Sequence, residues 1–426
     1  MSTATITEAD ARASAIETPR NWKAPIAFGV FAVVSFVVFG LLGREGTSRL
    51  TFASSTDFFT ITPIEVPSQV AGIIVGVVLI ALAAVSAWFT WQRRPAAPMW
   101  MLLVFGVFFV FGLLVWIGTG ATVPVVWLLT GTLALATPLV FGAMAGVISE
   151  RVGVVNIAIE GQLLAGAFTS ALVASLTQNP FMGLLAALVA GALVSIILAV
   201  FSIKYLVEQV VVGVVLNMLV IGLTSFLYSS VLNKNPSVLN SPVKFTREPI
   251  PFLSEIPVIG PLLFNNTAIT YLMFITVAVV YIGLFHTRWG LRVRAVGEHP
   301  KAADTVGIKV NATRFWNVLL GGAVAGMGGA FFTLGAVGAF GKEMTSGQGY
   351  IALAALIFGR WNPLWAALAA LLFGFAINIK TLVTQVGADI PTEFLSMIPY
   401  LVTILAVAGF VGQSKAPAAS GKPYLK

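Results

Sequence analysis

Two short polar stretches inside otherwise apolar sequence carry the side chains most able to handle a solute. Between Ser149 and Gln162, the residues Asn156, Glu160 and Gln162 follow closely on the charged pair Glu150 and Arg151 and then enter an apolar run. An ionised carboxylate at bilayer depth costs about 2.5–3.5 kcal/mol on insertion scales, so Glu160 must face protein, water or a partner group. Glycines at 153, 161 and 166 permit irregular backbone, which a membrane tolerates only inside protein or along a wet cavity. One reading makes these residues the hydrogen-bonding lining of a solute path. The other makes them a helix cap, with Asn156 beginning the helix and Glu160 and Gln162 satisfying its first turn. The second stretch, Phe340 to Pro363, contributes Glu343, Thr345 and Gln348, and its Gly347-Gln348 pair echoes Gly161-Gln162. The spacing predicts a helix from about Tyr350, and the two stretches together suggest an inverted repeat entered from opposite faces.

A third stretch, Thr287 to Thr313, is basic and carries a short helix signal. Pro300 suits a first helical position and Gly307 the residue just past an end. Glu298 complements the positive end of that helix. Six or seven residues do not hold a helix in water without a partner. A capped helix in a loop between two spans is suited either to receive force from another protein or merely to anchor topology.

Other chemistries lack their residues. No G-x-x-x-x-G-K-[ST] phosphate loop is present, so ATP hydrolysis is not expected of this chain, and no H-E-x-x-H pair exists. There is no cysteine, and the two histidines, His286 and His299, lie at the cytoplasmic loop, away from any nucleophile at membrane depth. No metal site, cofactor or catalytic residue is expected.

These stretches must be positioned by membrane helices. Of 426 residues, 58% are apolar and 9% charged, against roughly 25% charged in soluble domains. That composition excludes a soluble enzyme, and the lack of polar–apolar alternation excludes a membrane barrel. The net charge of +8 does not indicate nucleic acid, because the basic residues sit in turns between apolar runs. A span needs about 20 apolar residues. The sequence predicts an all-α polytopic bundle of about twelve segments, some broken or re-entrant, near 26–43, 70–91, 99–117, 124–148, 155–175, 181–201, 210–231, 269–286, 315–336, 343–358, 364–380 and 396–412. Placing both termini in the cytoplasm puts most of the 24 Lys and Arg inside. Residues 1–24 read as a disordered tail, 25–120 as additional N-terminal spans, 121–413 as the core and 414–426 as a second tail. The segments 44–69 and 233–267 lie outside, the latter too rich in proline for a long helix.

The loop residues Arg294, Ala295, Val296, Gly297, Ala302, Ala303, Gly307 and Ile308 resemble the coupling loop of ABC-importer permeases of the branched-chain amino acid and ribose class. The stretches 149–161 and 344–363 are similar to its nucleoside and simple-sugar branch, and 207–217, ending in Asn217, fits that branch's mid-chain helix. The resemblance runs from about Leu133 to Val411. It implies the permease subunit of an ATP-driven importer in the plasma membrane, with nucleosides as the favoured substrates; on the path reading of the polar stretches, the lining would be Asn156, Glu160, Gln162, Asn217, Glu343, Thr345 and Gln348. Coupling would fall to Arg294, Gly297, Glu298, Pro300, Ala303, Asp304 and Gly307. The implied partners are an ATP-binding subunit that holds the ATP, a second related permease and an extracytoplasmic substrate-binding lipoprotein. A simple-sugar permease is one alternative. An ion-driven secondary transporter, with Glu160 as its ion site, is another.

Overall fold

A computed structural model describes residues 22–53, 57–59, 61–94, 98–386, 397 and 415–425. Ten helices among the described residues are long and apolar enough to cross a membrane. The chain is a polytopic helical bundle, and it divides into two compact units, residues 1–51 with 63–123 and residues 52–62 with 124–426.

The first unit holds α1 (Lys23–Ser35, continued by a wider π-helical turn, Phe36–Leu41), α2 (Ser68–Trp91) and α3 (Met99–Ile117). Phe28 and Phe105 stack at 4.5 Å within its apolar interior. The polar stretch after α1 forms strands. β1 (Thr47–Thr51) pairs antiparallel with β2 (Ile64–Pro67) and lies beside β3 (Thr122–Pro124). Thr and β-branched residues satisfy their backbone in this small sheet, as lipid could not.

The second unit contains α4 (Val125–Arg151), α5 (Ile159–Thr177), α6 (Pro180–Ala199), α7 (Gln209–Ser230), α8 (Ala268–His286), α9 (Arg288–Glu298), α10 (Pro300–Thr305), α11 (Val310–Ala330), α12 (Gln348–Phe358) and α13 (Pro363–Val386). Starts are set by local chemistry. The Asn179 side chain accepts from the Phe181 amide, with Pro180 opening α6, and the Glu208 carboxylate accepts from the amides of Val210 and Val211 to open α7. α11 packs on α4, α5 and α6. Its Gly326 lies directly against the Ala187 carbonyl of α6, where any side chain would overlap backbone. Such contacts replace the hydrophobic drive that is missing between helices in lipid.

Several expectations need correction. α5 starts at Ile159 rather than 155, because Gly153 adopts a left-handed φ of +92° and turns the chain out of α4 into a connection of seven non-helical residues, 152–158. The segment 343–358 is not a span: a turn with left-handed Glu343, Ser346 and Gly347 precedes α12, which has only 11 residues. The loop 287–313 contains a second helix, α9, opened by the Thr287 hydroxyl accepting from the Gly290 amide. The proline-rich segment 233–267 forms no long helix, as expected, only helical turns and a pair of short strands, β4 (Arg247–Pro249) and β5 (Asn265–Thr267). The expected segment 396–412 and most of the tail 1–24 fall outside the described residues.

Candidate functional site

The sequence gives α5 and α12 no caps of their own. Ala158 and Gly347 precede them, and neither offers a side-chain acceptor. The first amides of a helix have no intrahelical partner and must find one elsewhere. Here each start is capped from another helix. Glu160, only 4% exposed at the second position of α5, reaches across to α12. Its Oε1 accepts from the Thr345 hydroxyl at 2.6 Å and the Gly347 amide at 2.9 Å, and its Oε2 accepts from the Gly349 amide at 2.6 Å. Asn217, in the middle of α7, performs the same service for α5. Its Oδ1 accepts from the Gly161 amide at 2.8 Å, while its Nδ2 donates to the Ile157 carbonyl at 2.9 Å and to the Tyr350 hydroxyl at 3.1 Å. Glu160, Asn217, Thr345 and Tyr350 therefore form one cluster joining α5, α7 and α12.

Asn156 and Gln162 form a second cluster. Their amides exchange two hydrogen bonds at 3.1 Å each, and Gln162 Nε2 also donates to the Ser195 hydroxyl of α6 at 2.8 Å. Both are fully buried. The cap reading of Asn156, Glu160 and Gln162 is thus corrected in its particulars: Glu160 is a cap, but for α12 rather than for its own helix. Glu343 is exposed in the preceding turn, outside both clusters, with its carbonyl accepting from the Ser346 amide. Gln348 is half-buried at the start of α12, and its Oε1 has no hydrogen-bond partner among the described residues. Neither Tyr350 nor Ser195 is singled out as a site residue by the sequence. Tyr350 alone had a signal, a tyrosine at the expected start of an apolar helix.

In the basic loop 287–313, Pro300 opens α10 and Gly307, at φ +85°, ends it, with the Gly307 amide donating to the Asp304 carbonyl and the Ile308 amide to the Ala303 carbonyl. Ala303 is buried and Asp304 half-buried. Gly297, at the end of α9, lies against the Arg151 carbonyl. The guanidinium groups of Arg151 and Arg294 stand 5.7 and 5.3 Å from the Phe285 ring centre. The end of α4 in turn grips the turn after α12: Trp361 Nε1 donates to Glu150 Oε2 at 2.6 Å, and Arg151 Nε donates to the Trp361 carbonyl at 2.9 Å. The motif around Trp361 was visible in the sequence, but its partner Glu150 was not. Among the described residues no group of three His, Asp or Glu could hold a metal ion.

The described residues thus form a multi-pass bundle with two cross-capped helix starts and a short helix in its basic loop. The family described as branched-chain amino acid transport system / permease component matches residues 128–407, and the chain belongs to it. It is 42% identical to the guanosine ABC transporter permease protein NupQ of Bacillus subtilis, over 69% of this chain and 95% of that protein. The nucleoside ABC transporter permease protein NupC of Lactococcus lactis is 40% identical over the same shares. A putative glucose ABC transporter permease of Haloferax volcanii is 31% identical over 66% of this chain and 90% of that protein. No solved structure matches the chain. Membership makes the chain a transport component working with an ATP-binding subunit and a substrate-binding partner.

Proposed function

We propose that this chain is the permease subunit of an ATP-driven importer for nucleosides, and that its solute passes the cluster around Glu160. The observation that carries this reading is the shared cap. Two helix N-termini meet one carboxylate, and each start carries roughly half a positive charge. One carboxylate offsets both, so the cluster presents polar groups without net charge. That suits an uncharged solute rich in hydroxyl and amide edges better than a phosphorylated one. The ring of Tyr350, 47% exposed beside Asn217, offers an aromatic face for a nucleobase. The two relatives at 42% and 40% identity, a guanosine permease and a nucleoside permease, support the same substrate class. A simple sugar is the second reading, favoured by the glucose permease relative.

The coupling route follows contacts. Motion of the ATP-binding subunit moves α10 and α9, Gly297 passes it to the end of α4, and Glu150 and Arg151 carry it to Trp361 and hence to α12. Displacing α12 loosens the Glu160 cap and reorients α5. In this scheme both termini are cytoplasmic, the partner permease is a related second subunit, and the substrate-binding protein is a lipoprotein on the outer face. ATP is held by the partner subunit and no cofactor by this one.

The test is competition. Uptake of labelled guanosine by the intact importer should be suppressed by unlabelled purine and pyrimidine nucleosides and left unchanged by an equal excess of glucose. Suppression by glucose alone would move the assignment to the sugar reading. Replacing Tyr350 with Ala should weaken nucleoside uptake more than replacing it with Phe.

A further inference from the structure

Residues 415–425 run back across the cytoplasmic loops, although their Ala, Pro, Ser and Gly content suggests a free tail. The contacts are specific. The Ala419 amide donates to the Gly297 carbonyl at 2.9 Å, and the Ala418 amide to the Glu298 carboxylate at 3.2 Å. The Lys422 carbonyl accepts from Arg314 Nη1 at 2.9 Å, and the Tyr424 hydroxyl donates to the Asp304 carboxylate. Ala419 and Tyr424 are 5% and 8% exposed. Burial, then the Asp304 carboxylate, holds the Tyr424 phenol above its usual range, so it keeps the proton it donates. Arg314, buried at the start of α11, has no hydrogen-bond partner for Nε or Nη2 among the described residues. The Lys422 carbonyl is thus a strong tie for a costly buried charge.

We propose that the 415–425 segment is a brace that fixes the coupling helix α10 to α9 and α11, with Tyr424 as its positioning residue. This rests on the reading of α10 as the helix that receives the ATP-binding subunit. The segment ties together the three elements that flank the turn points of the loop: Gly297 and Glu298 at the end of α9, Asp304 within α10 and Arg314 at the start of α11. A six-residue helix cannot transmit force unless its orientation is held. The brace occupies the inner side of α10, and the outer side stays open: Lys301, Ala302 and Thr305 are exposed and Val306 is 76% exposed. A docking subunit therefore meets α10 without displacing the brace, which distinguishes a brace from an autoinhibitory plug.

Two arms test this. The chain has no cysteine, so Ala419→Cys reports on the brace alone when inside-out membrane vesicles are treated with an impermeant maleimide. Labelling should be at least about tenfold slower than for the exposed control Lys415→Cys, a protection set by local opening, and adding Tyr424→Ala should abolish the difference. Equal labelling of Ala419→Cys and Lys415→Cys would overturn the proposal without reference to any substrate. In the second arm the intact importer complex is reconstituted with Tyr424→Ala or Tyr424→Phe. Solute moved per ATP hydrolysed should fall by about fivefold or more for Tyr424→Ala, the scale of a coupling energy between sites, while the ATP-binding subunit stays bound and hydrolysis continues. Tyr424→Phe, which keeps the packing and loses the bond to Asp304, should fall between. Unchanged stoichiometry, or faster transport on removing Tyr424, would refute the brace. If wild-type complex moves no nucleoside at all, the substrate reading fails and the labelling arm still decides this one.

Discussion

Glu160 joins two helix starts through a single buried side chain. A carboxylate is an acceptor only, and it meets three donors, the Thr345 hydroxyl and the amides of Gly347 and Gly349. Glu160→Gln keeps shape but turns an NH2 toward one of those donors, leaving at least one buried N–H unpaired. Such a group costs about 1–3 kcal/mol, so the variant should unfold at lower temperature in detergent, with expression and insertion preserved. A melting midpoint equal to wild type would mean the cap is not formed. Asn217→Leu should show a loss of similar size, because it exposes the Gly161 amide in the same way. From the sequence, Glu160 was legible as an expensive carboxylate that needed partners. The partners were not legible, since Thr345 and Gly349 lie about 190 residues away. Local spacing pointed to a cap on its own helix, and only the tertiary packing of α12 against α5 redirects it.

At the scale of elements, the long helices were legible because an apolar run of span length has one solution in lipid. Their ends near 91, 117, 177 and 286 fall within a few residues of the expectation. The misses occur where the backbone leaves the helix inside protein. Gly153 and the left-handed residues Glu343 and Ser346 break runs that composition alone reads as continuous. α9 was missed because its charged residues read as loop, although Val293, Val296 and Gly297 are buried on one face. Two predictions belong to this scale. Gly326→Ala should sharply reduce recovery of folded, monodisperse protein, because the new methyl meets the Ala187 carbonyl, whereas Gly222→Ala, with open space around it, should be tolerated. Size-exclusion profiles of both decide it, and equal profiles would argue against the close packing of α6 and α11. Trp361→Phe removes the donor to Glu150 while keeping an aromatic ring. It should lower solute moved per ATP hydrolysed without preventing assembly with the ATP-binding subunit. An unchanged ratio would take Trp361 out of the coupling route.

At the scale of the whole molecule, scarcity of charge defines a membrane bundle, and the family match from 128 to 407 defines its core as an importer permease. The three N-terminal spans precede that match and form a unit of their own. The core leaves the energy source to a partner, and under the proposed function the exposed face of α10 is the surface it offers. Replacing Glu298 and Asp304 together removes both an acceptor for the 415–425 segment and the partner of Tyr424, so transport should uncouple from hydrolysis while membrane insertion is retained. Reconstitution of the complete importer in liposomes decides whether nucleoside import is driven by ATP. Labelled guanosine should accumulate only when ATP reaches the ATP-binding subunit and the substrate-binding protein is present, with no response to an imposed proton or sodium gradient. Accumulation that follows an ion gradient without ATP would contradict the account and return Glu160 to the role of an ion site.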